Sequence, residues 1–303
     1  MAEYLEIRNS ALHELLGADA VVERIAGGFG FTEGPVWRGD ALLFSDIRNQ
    51  RIVRWRQLRE GPEVTTLCFG QSNGLTLDQE GTLLAAEHGG RRVSRIAADG
   101  SRTTLAERYQ GRRLNSPNDL VVRSDGSIYF TDPPYAVVAN LVRDPGWWSR
   151  ALPGKQLNFN GVYRLAPDGT LSLLVDDFAL PNGLAFSPDE SILYVDDSER
   201  RHIRAFDVQE EGKLVNDRVI LDMASPDPGV PDGMKVDAAG NIFCTGPGGI
   251  WVCRPSGELL GRIVVPELPA NVAWGGEDWS TLFITARTSV YRIRTKTQSW
   301  PVP

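Results

Sequence analysis

Only three cysteines occur in the 303 residues, Cys68, Cys244 and Cys253, too few and too irregular for a disulfide framework. No Cys-x-x-Cys pair is present, so a thiolate zinc site is set aside and the three are expected to be reduced, buried thiols. Long hydrophobic runs are missing too. No window approaches the roughly 18 apolar residues of a membrane span, and the opening MAEYLEIRNS lacks the basic and apolar regions of a secretory signal. The expected address is the cytoplasm, with no membrane partner. Nor is there a basic surplus: 32 Lys and Arg against 39 Asp and Glu leave a formal charge of -7. Phosphate binding needs clustered Lys and Arg, and their absence argues against a nucleic-acid partner. What remains is an ordinary globular composition, 42% hydrophobic and 23% charged, long enough to bury a large core.

The positive signal is an internal repeat. The segments TEGPVW, SNGLTLD, SPNDLVV, PNGLAFS, PDGMKVD and ANVAWGG place Glu33, Asn73, Asn118, Asn182, Asp232 and Asn271 at one phase, with spacings of 40, 45, 64, 50 and 39 residues. After each polar acceptor come a second apolar run, such as ALLFSDI or SIYFTDP, and a third, such as RIVRW or GVYRL. Most units add a fourth, such as TTLAE, LSLLV or RIVVP. Short β-rich runs punctuated by Asp-Gly and Pro-Asp turns at this period are the signature of propeller blades, and no long helical periodicity competes. Six units predict an all-β, six-bladed β-propeller. The last unit stops after SVYRIRTKT without a fourth strand, while AVVERIA at 20–26 precedes the first unit. The N-terminal strand is therefore expected to complete the last blade. Residues 1–18 read as an N-terminal extension carrying a short helix, and 19–303 as the propeller.

The 64-residue spacing contains an excursion at 133–160 with no place in the blade pattern. Long loops in a regular scaffold tend to bind or cover ligands, and Tyr135, Trp147 and Trp148 are poor choices for a purely solvated loop. A lid-like insertion is expected over the acceptor mouth. Residues at one phase of the innermost strands converge as a ring at one end of the channel. Asn or Asp before Gly also makes turns, which accounts for Gly74, Gly183 and Gly233 but not for the carboxylates of Glu33 and Asp232. Two carboxylates and several amide oxygens, with no Cys or His, make a hard-cation site.

The segments FTEGPVW, LNSPNDLVVRSDGSIYFTDPPY, LPNGLAFSPDE, GVPDGMKVDAAGNI and LFITA, in this order from about residue 20 to 295, resemble the SMP-30/gluconolactonase family, most closely its bacterial gluconolactonases. The resemblance implies a six-bladed propeller with one divalent cation and a lactone-hydrolysing site. By motif, the EGP glutamate is Glu33, the PND asparagine Asn118, the PNG asparagine Asn182 and the PDG aspartate Asp232. Glu33, Asn182 and Asp232 are the implied ligands. Asn118 either touches the metal or orients substrate and water. Calcium is expected first, with magnesium, manganese, zinc or iron as alternatives. Ser116 stands where some relatives carry an arginine.

The expected chemistry is hydrolysis of a sugar lactone, an aldonolactone opened to its aldonic acid, by a monomer or dimer. Asp232 is the expected catalytic base, as the resemblance suggests, with His88 in AEHGG its rival. Asn73, Asn118, His88 and Tyr135 are expected at the substrate. His13 and His202 lie off the acceptor phase and take no role. An acidic channel is expected to favour a neutral lactone, because net negative charge repels anions. A related metal hydrolase acting on phosphotriesters or other esters is the alternative, and a non-catalytic scaffold fits poorly with convergent carboxylates.

Overall fold

The computed structural model describes residues 4–138 and 154–299. Six antiparallel sheets follow one another along the chain and form a six-bladed β-propeller. Blade 1 consists of Thr32–Arg38, Ala41–Asp46, Arg51–Leu58 and Gly61–Phe69, and blade 2 of Leu75–Leu77, Leu83–Glu87, Arg92–Ile96 and Arg102–Ala106. Leu120–Val122, Ile128–Asp132, Gly161–Leu165 and Leu171–Val175 make blade 3. Pro181–Phe186, Ile192–Asp197, His202–Val208 and Leu214–Asp222 make blade 4. In blade 5 the strands are Met234–Val236, Ile242–Gly246, Gly249–Cys253 and Leu259–Ile263, and in blade 6 Pro269–Gly275, Thr281–Ala286 and Ser289–Arg294.

Burial follows position in the blade. The second strands Ala41–Asp46, Leu83–Glu87, Ile128–Asp132, Ile242–Gly246 and Thr281–Ala286 are buried throughout, because both of their faces meet a neighbouring blade. Their sequences are accordingly near-continuous apolar runs rather than alternations. The outermost strand Gly61–Phe69 is the opposite case, half-buried and exposed by turns. The core is thus divided into layers between blades. One layer packs Leu84, Phe130 and Tyr163 of blades 2 and 3, and another packs Tyr129, Leu184 and Phe206 of blades 3 and 4.

The ring closes as the sequence predicts. Glu23–Gly27 pairs antiparallel with Ser289–Arg294, Glu23 opposite Arg292 and Gly27 opposite Ser289, and supplies the missing fourth strand of the last blade. A further pairing was not legible. Leu5–Ile7 adds a fifth strand to blade 5, with Leu5 opposite Ile263 and Ile7 opposite Gly261. Between these strands the helix Leu12–Leu16 buries Leu12 and Leu16 against Phe243, Ile263, Trp274 and Leu282 of blades 5 and 6. Each leucine removed from water in this way contributes about 1.5–3 kcal/mol. Cys244 and Cys253 are buried free thiols as expected, whereas Cys68 is only half-buried, because it lies on the outermost strand of blade 1.

Candidate active site at the channel mouth

In blades 1, 3 and 4 a carboxylate at the end of the second strand holds the chain that leads into the acceptor. In blade 1, Asp46 Oδ1 accepts from the backbone N–H of Gly30 at 2.9 Å and of Phe31 at 3.4 Å. Asp132 in blade 3 accepts from Asn115 N at 2.8 Å and Ser116 N at 2.7 Å. Asp197 in blade 4 does the same for Ala179 N at 2.8 Å and Leu180 N at 3.1 Å. Phe31, Ser116 and Leu180 each stand two residues before an acceptor: Glu33, Asn118 and Asn182. Charge-assisted bonds to backbone N–H groups are roughly twice as strong as neutral ones, so these buried aspartates fix where the chain enters the channel.

The glycines after the acceptors serve close approach rather than turn chemistry. Gly74 N donates to Asn118 O at 2.8 Å, Gly183 N to Asp232 O at 2.7 Å and Gly233 N to Ala270 O at 2.7 Å, linking each innermost strand to the next blade. A Cβ on Gly74 would lie 2.6 Å from Asn118 O, and one on Gly183 2.2 Å from Asp232 O. Hydroxyls continue the same stitching: Ser45 Oγ donates to Asn73 O and Thr131 Oγ1 to Asn182 O, both at 2.7 Å.

This packing brings Glu33, Asn73, Asn118, Asn182 and Asp232 to the wall of one cavity of about 470 Å³, together with His88 and Tyr135. Seven of the residues singled out from the sequence thus line it. The sixth acceptor, Asn271, does not: its Nδ2 donates to Glu33 Oε2 at 3.0 Å and to Asp119 Oδ2 at 3.3 Å, and its Oδ1 accepts from Val272 N. It supports the ring from below. Residues that sequence reasoning missed are Phe31, Ile47, Arg48 and Val230, which complete the wall, and the buried acids Asp119 and Asp196 beneath it. Asp119 follows the acceptor in PND and Asp196 is the penultimate residue of a largely buried strand, so a signal existed, but it was indistinguishable from turn and capping aspartates.

Ser116 has a structural task. Its hydroxyl donates to Pro133 O and accepts from Ala136 N at 3.1 Å, clamping the chain on either side of Tyr135. Tyr135 thereby reaches the cavity at the start of the 133–160 excursion. Trp147 and Trp148 lie outside the described residues.

The cavity floor is acidic and poorly solvated. Burial, followed by the nearby Asp119 charge, pushes the Glu33 carboxyl up to about 7, against bonds from Gly34 N–H and Asn271. Burial raises Asp232 well above the carboxylate range, and Glu33 and Asp196 add to the effect. Glu33 and Asp232 line the same cavity, and each perturbs the titration of the other. Asp196 is raised by burial and then by Asp197 and Asp119. Such convergence is costly for anions without a cation.

Two amides fit the same requirement. Asn73 Oδ1 is buried with no hydrogen-bond partner among the described residues. Ser198 Oγ donates to Pro231 O at 2.6 Å, a carbonyl that only accepts, so the contact of 3.0 Å with Asn182 Nδ2 has the amide as donor. The Asn182 oxygen is then the atom free for the cavity. Among the described residues, no three His, Cys, Asp or Glu side chains are grouped as a metal site by themselves. A cation here needs amide oxygens beside the two carboxylates, and an all-oxygen donor set suits a hard divalent ion.

Fold and site together define a class: a six-bladed propeller whose channel opens into a small-molecule-sized cavity lined by carboxylate and amide oxygens. The chain belongs to the SMP-30/gluconolactonase/LRE-like family, which it matches over residues 31–288. It is 36% identical over 310 residues to a gluconolactonase of Zymomonas mobilis, across 94% of this chain and 84% of that protein. A pentonolactonase of Haloferax volcanii is 30% identical over 264 residues, 84% of this chain and 80% of its own. Among solved structures, a gluconolactonase of Xanthomonas campestris superposes with a TM-score of 0.85 at 35% identity, across 97% of this chain and 95% of that one.

Proposed function

We propose that this protein is a metal-dependent lactonase that opens a sugar lactone, of the aldonolactone type, to its acid. The observation that carries this reading is the convergence of the Glu33 and Asp232 carboxyls on one cavity that also presents the Asn182 and Asn73 oxygens. The lactonase relatives support the substrate class. Glu33, Asn182 and Asp232 would hold one divalent cation, calcium before magnesium, manganese, zinc or iron, with Asn118 either a fourth ligand or a contact to substrate and water. When bound, the ion supplies Lewis-acid polarisation of the lactone carbonyl.

The chain's own groups do the rest. Asp232 takes the proton of the attacking water and returns it to the ring oxygen as the carbon–oxygen bond breaks, so the hydroxy acid leaves with atoms balanced. Asn73, Asn118, His88 and Tyr135 orient the sugar hydroxyls, a task suited to groups that donate and accept. Burial keeps His88 neutral, since it lowers the imidazole pKa. We read the excursion at 133–160, of which 139–153 lie outside the described residues, as a lid over the mouth, a reading supported at its start by the Ser116 clamp and by Tyr135 in the wall. Among the described residues no helix is long and apolar enough to cross a membrane.

The test compares wild type with Asp232→Ala on D-glucono-1,5-lactone at equal protein and pH, because the lactone also opens spontaneously. The expected result is a rate above background that disappears on chelation, returns with an added divalent ion and is lost in the variant. Equal rates for both proteins across a panel of sugar lactones would overturn the reading.

A further inference from the structure

Among the described residues lining the cavity, Arg48 is the only one positively charged at neutral pH. It belongs to the single turn Ile47–Asn49 between the second and third strands of blade 1. The turn is tied down on every side. Ile47 N donates to Phe31 O at 2.9 Å, Gln50 N to Ile47 O at 3.1 Å, and Asn49 Nδ2 to Asp46 Oδ2 at 2.7 Å. Gly30 packs so closely that a Cβ there would stand 2.7 Å from the Arg48 Cβ. The root of the side chain is therefore fixed beside Phe31 and Ile47.

Its charge is uncommitted. The neighbouring Arg51 gives its guanidinium to Asp46 at 3.0 Å, whereas Arg48 makes no hydrogen bond or ion pair with any described residue. Depth separates it from the reacting groups: Glu33 is 2% exposed at the floor, and Arg48 is exposed at the rim. Phe31, Ile47 and Val230 form apolar wall in the same cavity, and an ion pair gains strength where water is displaced. A volume of about 470 Å³ lies within the small-molecule range.

We propose that Arg48 is a specificity-determining residue that receives an anionic substituent, a carboxylate, phosphate or sulfonate, on the lactone at the end remote from the reacting carbonyl. A guanidinium presents paired donors that match such oxyanions. The proposal rests on the lactonase reading of this cavity, and it modifies the expectation of a neutral substrate. The charge of -7 belongs to the whole chain, while the rim presents a cation.

The experiment measures kcat/KM for 6-phosphoglucono-1,5-lactone, D-glucaro-1,4-lactone and glucono-1,5-lactone with wild type, Arg48→Ala and Arg48→Lys. Arg48→Ala should lower the ratio of anionic to neutral kcat/KM at least tenfold for the preferred anion, through KM. Arg48→Lys should restore part of it, and added salt should raise KM for the anionic lactone alone. A ratio changed less than twofold overturns the proposal, and the two anionic lactones separate phosphate from carboxylate. If wild type hydrolyses none of the three, the lactonase reading fails, and binding of 6-phosphogluconate against gluconate decides on Arg48. A tenfold selective loss of 6-phosphogluconate affinity in Arg48→Ala supports the anion site, and equal affinities in the two proteins overturn it.

Discussion

Asn271 donates its amide to Glu33 Oε2 at 3.0 Å, joining the innermost strand of the last blade to that of the first. The same nitrogen lies 3.3 Å from Asp119 Oδ2, so one amide orients two buried carboxylates. Groups that orient metal-binding carboxylates typically cost 10–100-fold in metal affinity when removed. Asn271→Leu should weaken divalent-ion binding by about that factor, measured by titration against a competing chelator, while lactone KM at saturating metal changes far less. Unchanged metal affinity would show that Asn271 only fills space.

Ser198 fixes which end of the Asn182 amide faces the cavity. In Ser198→Ala the amide nitrogen loses its acceptor and is free to turn inward, where a donor repels a cation. Metal affinity and activity should both drop, with the fold intact by circular dichroism. Ser198→Thr, which keeps the hydroxyl, should retain more of both.

Gly183 stands where a Cβ would meet Asp232 O at 2.2 Å. Overpacking of this kind costs about 1–3 kcal/mol and more where backbone must move. Gly183→Ala should therefore lower Tm by several degrees and displace Asp232 as well, so activity should be lost below the unfolding temperature. Retained activity would mean that the innermost strands can separate without disturbing the site.

The imidazole of His88 has its pKa lowered by burial. Its folded value lies below the unfolded value of about 6.5, so the unfolded chain binds more protons in this range and stability falls as pH drops through it. His88→Gln should remove that contribution. The difference in urea midpoint between pH 7.5 and pH 5.5 should be smaller in the variant than in wild type, whatever slopes other groups add. An identical difference in the two proteins would contradict a neutral, half-buried His88.

The repeat was legible because six polar acceptors interrupt runs that are otherwise apolar, at a phase that survives unequal loop lengths. From that phase followed the number of blades and five of the residues that line the cavity, Glu33, Asn73, Asn118, Asn182 and Asp232. The carboxylates that position the acceptors were visible in SDI, TDP and DDS, yet nothing in sequence separates Asp46, Asp132 and Asp197 from ordinary turn residues. Their role depends on which backbone N–H groups come near in three dimensions. Leu5–Ile7 is too short for any periodicity, and its pairing is chosen by the edge of blade 5 rather than by its own sequence. Arg48 lies off the acceptor phase, in the turn after the second strand of blade 1. The Gly after each acceptor looked like turn chemistry, and only the distances between neighbouring strands show that it leaves room for the next blade.

The pairing of Glu23–Gly27 with Ser289–Arg294 also constrains the order of events during synthesis. The strand that completes the last blade leaves the ribosome before any blade exists, and its partner emerges only after the other five blades. Until then the early strand has no edge to join, and the sixth blade's place stays open while five sheets accumulate beside it. The circle is therefore sealed in a late step in which both ends of the fold must be present together. Truncation of either end leaves an unpaired sheet edge rather than a smaller propeller.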